Sequence, residues 1–195
     1  MHPTSCLVWR VVSLRSCGLK VTERSTGAGE RTMGVELYED EAGTEPVRDW
    51  LEDLSGAARA AAIAAVEEIL TPRGTQVCAT EWGKNLREGL YELRIRHTAD
   101  EITRMFGHDD QAEDDGSQGS QGAQDEDRGG RNLKVLLRIC FATDGRKIIL
   151  LLAGYDKGRF GGGKREQKTI AAARRRLADH RERQKRHKSR SSKRR

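Results

Sequence analysis

The chain has 195 residues, a net charge of +6 and 34% charged residues, and only 35% of its residues are hydrophobic. Globular domains are typically about 45–50% apolar and about 25% charged, so this length cannot all fold into one packed body; the apolar residues gather between about 35 and 180, which predicts one domain with polar additions. No apolar run approaches the roughly 18 residues of a membrane span, and Cys6, Cys17, Cys78 and Cys140 have neither metal-ligand pair spacing nor the density of a disulfide framework, which fits a reducing cytoplasm.

Residues 1–32 carry no pattern that belongs to a domain. Arg10 interrupts the apolar run from Cys6 to Leu14, so it does not read as a secretory signal. Arg10, Arg15, Lys20 and Arg24 with few acids have the composition of an organelle-targeting peptide, but a start at Met33 is the simpler expectation. Val35 to Tyr38 reads as a short strand. Glu45-Pro46 then opens a helix, because the fixed φ of proline suits a first turn. Val47, Trp50, Leu51 and Leu54 fall at i, i+3, i+4 and i+7, which is one apolar stripe. Ser55-Gly56 breaks and recaps the chain, and a second helix over 57–70 places Ala62, Ile63, Val66, Ile69 and Leu70 on one face until Pro72 and Gly74 stop it. The two helices read as a hairpin whose stripes cover a sheet.

Past a turn at Glu88-Gly89, Tyr91, Leu93 and Ile95 alternate with Glu92, Arg94 and Arg96. This predicts a strand over 90–96 with one core face and one face carrying two guanidiniums about 7 Å apart. Thr98 to Glu101 is a capping-box pattern that starts a short helix packing through Ile102, Met105 and Phe106. Residues 108–131 are rich in Gly, Ser, Gln and Asp, with no basic residue between 109 and 127, and predict a disordered acidic insertion inside the domain. Leu133 to Ala142 is the next strand, with Val135, Leu137, Ile139 and Phe141 opposite Lys134, Leu136, Arg138 and Cys140. Asp144-Gly145 signals a hairpin turn. The return strand, Lys147 to Tyr155, is apolar throughout, as a strand buried on both faces would be. A last helix starts near Lys164 with Ile170, Ala173, Leu177 and Ala178 on one stripe, and 184–195 reads as a disordered basic tail. Residues 164–195 hold fifteen Lys or Arg against Glu166, Asp179 and Glu182, a net of +12 that suits a polyanion or simply solubility.

The order strand, two helices, three antiparallel strands, helix resembles the RelE/ParE toxin superfamily, most closely its HigB-like, phage-derived branch. The residues that carry the likeness are Glu45-Pro46-Val47-Arg48-Asp49-Trp50-Leu51, Lys84 to Arg94, Leu137-Arg138-Ile139, Leu150-Leu151-Leu152-Ala153-Gly154-Tyr155-Asp156-Lys157, and Gln167 with Ile170 to Leu177. Together they span about 35–183, apart from the acidic insertion. The resemblance implies an α+β domain over 33–183 in which an N-terminal strand and helical hairpin pack on a small antiparallel sheet, with a C-terminal helix. It also implies a cytoplasmic endoribonuclease of a type II toxin–antitoxin pair. Such an enzyme cuts mRNA, often on the ribosome, needs no metal or cofactor, touches no membrane and is silenced by a cognate helix-turn-helix antitoxin. The ParE side of the superfamily acts on DNA gyrase instead, and a non-catalytic nucleic-acid- or partner-binding protein on the same scaffold is a further alternative. By position, the resemblance makes Arg94, Arg138 and Lys157 catalytic candidates; the superfamily's tyrosine near the C-terminus has no direct match here, and Tyr155 is the candidate to serve in its place. Lys84, Arg96, Arg159, Lys164 and Arg165 are the RNA-binding candidates. Glu92 stands where related ribosome-dependent nucleases often place a basic residue.

Cleaving RNA without metal uses the ribose 2′-hydroxyl as nucleophile on its own phosphate. The protein must fix that geometry, stabilise charge on the phosphorane and move protons. Guanidiniums suit the second task, because their forks match phosphate oxygens. The same arginines would equally serve an ordinary cross-strand partnership with Glu92. His97 is the nearest histidine that could act as a base, although a turn role suits it as well. Tyr155, Asp156 and Lys157 could form a proton-moving group at the strand exit; alternatively Tyr155 packs under the last helix and Asp156 caps a turn.

Overall fold

A computed structural model describes residues 33–107, 135–145, 148–159 and 163–192; the expected extension 1–32 and acidic insertion 108–131 lie outside the described residues. The elements in chain order are β1 (Gly34–Leu37), α1 (Pro46–Glu52), α2 (Gly56–Ala64), a wider π-helical turn (Ala65–Leu70), the single turn α3 (Thr71–Arg73) and a 3-10 stretch (Gly74–Ala79). There follow β2 (Gly83–Asn85), β3 (Tyr91–Ile95), α4 (Ala99–Phe106), β4 (Leu137–Asp144), β5 (Ile148–Asp156) and α5 (Gly163–Ser192). The fold is α+β, with one five-stranded sheet in the order β1-β5-β4-β3-β2.

The sheet is mixed, not antiparallel as expected. β2, β3, β4 and β5 pair antiparallel, but β1 lies parallel to β5, with Val35 opposite Ile149 and Leu37 opposite Leu151. Parallel neighbours need a long crossover between them, and almost the whole domain supplies it here.

Arg59 fixes the hairpin of α1 and α2. Its guanidinium donates to the carbonyls of Leu51 at 2.8 Å, Glu52 at 2.7 Å and Leu54 at 3.3 Å, the unpaired acceptors at the end of α1. Ser55 caps α2 by accepting from the Ala58 amide. Pro72 does not stop this helix, contrary to expectation. The π-helical turn lets the Thr71 amide reach back to the Val66 carbonyl, so Pro72 falls in the first turn of α3, where no amide is needed. The helix ends two residues later at Gly74, whose φ is +52°. The capping box of α4 is complete, with Thr98 and Glu101 each serving the other's backbone amide. Met105, however, is 47% exposed. Phe106, one turn on from Ile102, takes the inward position against Trp82 and leaves Met105 at the rim.

Each face of the sheet has its own core. Leu93, Ile95, Leu137, Ile139, Phe141, Ile149 and Leu151 pack under α1, α2 and α4. On the other face Leu90, Cys140, Ala142, Leu150, Leu152 and Ala153 pack with Tyr38 under Ala173 and Leu177 of α5. The expected tail is helical as far as Ser192, well beyond the 183 boundary drawn from the apolar stripe. Asp179–Arg183 and Glu182–Arg186 pairs, both at i,i+4, support those turns without apolar contact.

Candidate functional site

The chemistry-bearing residues gather on the α5 side of the sheet, where β3, β4 and β5 lie side by side. Arg94 of β3 is the direct partner of Arg138 on β4, and Arg138 is in turn the partner of Tyr155 on β5. Like charges opposite one another are unfavourable, so the arrangement needs an acid. Glu92 supplies it, two residues before Arg94 on the same face. It is 2% exposed, accepts from the Tyr155 hydroxyl through Oε1 at 2.8 Å and meets Arg94 Nε through Oε2 at 3.1 Å. Arg138 is 5% exposed and donates to its own strand's Leu137 carbonyl at 2.8 Å.

Tyr155 reaches this group because of a β-bulge. Cys140 faces Ala153, but the next residue, Phe141, faces Leu151, so Leu152 is an extra residue on β5. A bulge reverses the side-chain alternation beyond it. Ile149 and Leu151 lie in the hairpin core, yet Tyr155, of the same parity, points to the opposite face and Gly154 takes the inward position. Gly154 lies beneath the Trp50 indole so closely that a Cβ there would stand 2.1 Å from a ring carbon.

Burial is the main electrostatic influence on these groups. It pushes the Tyr155 hydroxyl well above the ordinary tyrosine range, helped by the hydrogen bond to Glu92 and by that carboxylate's charge, so Tyr155 stays a donor. Burial lowers the pKa of Arg138, opposed by the nearby charge of Glu92, while Arg94 and Arg96 add repulsion. Cys140, buried beside the group, is pushed up to about 12 by burial and then by Glu92, which keeps its thiol inert.

The other candidates surround this centre at varying distance. Lys84 is exposed on β2 directly opposite Glu92, and Arg96 is exposed just past the end of β3. The Lys157 backbone amide donates to the Leu136 carbonyl at 2.8 Å, and its half-exposed ammonium stands 3.5 Å from Glu166 in the first turn of α5. Arg159 is exposed in the loop after β5, and Lys164 and Arg165 are exposed where α5 begins. Asp156 caps that loop by accepting from the Gly158 and Arg159 amides, so it is a turn residue and not a proton mover. His97 stacks on Trp82 at 5.0 Å and faces Glu101 at 3.6 Å, away from the arginines.

From the sequence, Glu92 is a candidate partner for the arginines and a departure from the superfamily, but not a site residue, and its hydrogen bond to Tyr155 is not foreseen. The bulge that brings Tyr155 round leaves no mark in an unbroken apolar run. Among the described residues no group of three His, Cys, Asp or Glu side chains is placed to hold a metal ion, and no helix is long and apolar enough to cross a membrane. No protein-family model matches the chain, and no curated protein matches it.

Proposed function

We propose that this chain is a RelE/ParE-like toxin of the HigB-like type, acting as a metal-independent endoribonuclease on mRNA. The observation that supports this reading best is the meeting of Arg94 and Tyr155 on Glu92, with Arg138 on the strand between them and within reach of that carboxylate's charge. In the proposed reaction, Arg94 and Arg138 bind the scissile phosphate and stabilise the phosphorane. Glu92 takes the proton of the attacking 2′-hydroxyl. Each of its oxygens holds one hydrogen-bond donor and keeps a second lone pair. The 2′-O–P bond forms, the P–O5′ bond breaks and the 5′-oxygen leaves with a proton drawn from the Tyr155 hydroxyl, which regains one from Glu92 along their hydrogen bond, so both groups end as they began. Lys84, Arg96, Lys157, Arg159, Lys164 and Arg165 line the approach for flanking phosphates. A ribosome as the site of action and a helix-turn-helix antitoxin as the silencing partner belong to the same proposal.

A second reading has its own support. Glu92 and Arg138 are so thoroughly enclosed that the group could be a structural ion cluster on a non-catalytic nucleic-acid-binding protein. Incubating the purified chain with RNA, with and without ribosomes and chelator, separates the two. The expected result is cleavage that survives chelation and leaves 2′,3′-cyclic phosphate and 5′-hydroxyl ends. Arg138→Gln should slow it by roughly 10²–10³ and relieve growth arrest on expression. Absence of cleavage under every condition would favour the binding protein, and inhibition of gyrase supercoiling in its place would point to the ParE side.

A further inference from the structure

The overhang of α5 is a helix with no core to explain it. The helix has 30 residues and is about 45 Å long. Its last buried apolar residue is Leu177, and from Asp179 to Ser192 the sequence has no apolar residue at all. After Glu182 it has no acid either, while Arg183, Lys185, Arg186, Lys188 and Arg190 follow in quick order. A helix that is polar all round gains little from core burial, and only polar contacts tie the start of this one down, from Asp179 to Tyr38, from His180 and Gln184 to Asp144 and from Arg183 to the Glu39 carbonyl. Arg181 with Lys185, and Arg186 with Arg190, also set like charges at i,i+4, which is unfavourable by a few tenths of a kcal/mol each.

One side of this overhang forms a cleft against the turn end of β4 and β5. The cleft has a volume of about 240 Å³ and is lined by His180, Arg181, Lys185 and Lys188 from α5, with Asp144 as its acid. Asp144 is held by His180 at 2.9 Å and by Gln184 at 3.2 Å, so its charge is turned to the helix. Lys185 and Lys188 extend the basic rim outward, and both are exposed.

We infer that the overhang of α5, through Lys185 and Lys188 beside this cleft, is a second contact surface for the phosphate backbone of RNA. It rests on the RNA reading above but not on cleavage. Asp144 and Arg138 sit at opposite ends of β4, about 20 Å apart by strand rise, so the surface is separate from the arginine cluster. A phosphate backbone supplies regularly spaced negative charge along the helix, relieves its like-charge pairs and releases counterions.

The test measures affinity of the full chain for an RNA with methylated 2′-hydroxyls, which cannot be cut, across a salt series. Lys185→Glu with Lys188→Glu should weaken binding about tenfold or more near physiological salt and lower the slope of log affinity against log salt by about 1–2. The paired Lys→Gln variant should fall between this and the wild type, and unchanged melting of both would show that the fold is intact. Wild-type affinity and slope in the Glu variant would overturn the surface, whatever the cleavage assay gives. Binding by the wild type to an acidic protein but to no RNA would overturn it too. Loss of RNA affinity in the variants of a chain that never cuts RNA would uphold the surface and remove only the nuclease reading.

Discussion

A buried carboxylate with two donors is an exacting local arrangement, and Glu92 sets the terms for each residue around it. Tyr155→Phe removes one donor and leaves Oε1 of Glu92 unsatisfied inside the protein. The expected cost is about 1–3 kcal/mol, read from denaturant unfolding, with little change in the slope of the transition. A loss within error would mean that water already serves that oxygen. Glu36, on the same face of the sheet, gives a separate test of residue-level electrostatics. Its pKa is raised by burial and then by the charge of Asp144, with His180 opposing. A carboxyl that holds its proton longer in the folded state than in the unfolded one loses stability as pH rises. Below the ordinary carboxylate range Glu36 is neutral in both states and costs nothing. Stability falls as pH climbs from that range through the raised folded value, and the deficit persists at neutral pH. Glu36→Gln should therefore raise the melting temperature at pH 7 and leave it nearly unchanged at pH 3. An equal gain at both pH values would assign the effect to packing.

At the level of elements, the bulge in β5 does the most to shape the site. It turns Tyr155 towards Glu92 and places Gly154 under Trp50, so one irregularity serves both the site and the packing of α1. Gly154→Ala should cost about 1–3 kcal/mol by overpacking, and Trp50→Leu in that background should recover part of it. Equal stability of Gly154→Ala and wild type would show that the indole swings aside freely. Much of this level was legible beforehand. The stripe of Val47, Trp50, Leu51 and Leu54, the alternation of Tyr91 to Arg96 and the capping box at Thr98 are local patterns, and the elements form where they predict. β2 was missed because Gly83-Lys84-Asn85 has no apolar alternation. Its place depends on Gly83, where a Cβ would stand 2.6 Å from the Val77 carbonyl. The turn before β3 was placed, but not its strain. Arg87 and Glu88 both have positive φ, at 71° and 56°, and guanidiniums of the distant α5 hold the Leu86 and Glu88 carbonyls. Of the catalytic candidates, Arg94, Arg138 and Tyr155 do come together, whereas Lys157 pairs with Glu166 at the edge. Contacts between residues far apart in sequence, such as Tyr155 with Glu92, carry no local signature.

Across the whole molecule, the two cores are unequal. The hairpin side joins α1, α2, α4 and four strands around Phe141, while the α5 side relies on a short list of contacts centred on Ala173 and Leu177. Stability in proteins is distributed in units that open separately when their interfaces differ in this way. Leu177→Ala should cost about 2–5 kcal/mol, because it empties a buried position in the smaller core. That loss should fall on the docking of α5 and not on the sheet. Cys140 is a built-in reporter, since it is fully buried beneath α5 with its thiol pKa pushed up to about 12. In the wild type it should react slowly with a small thiol reagent at pH 8. In Leu177→Ala, labelling of Cys140, located by peptide mass, should accelerate in step with the lost stability, while amides of β3 and β4 keep their exchange protection. Simultaneous loss of protection in α5 and in both strands would show one cooperative unit. The site lies at the margin of this smaller core, so undocking α5 would also carry Glu166 away from Lys157 and let water reach Tyr155. The same variant should then cleave RNA more slowly although Glu92, Arg94 and Arg138 are all intact, which makes the seat of the last helix a condition for the proposed chemistry.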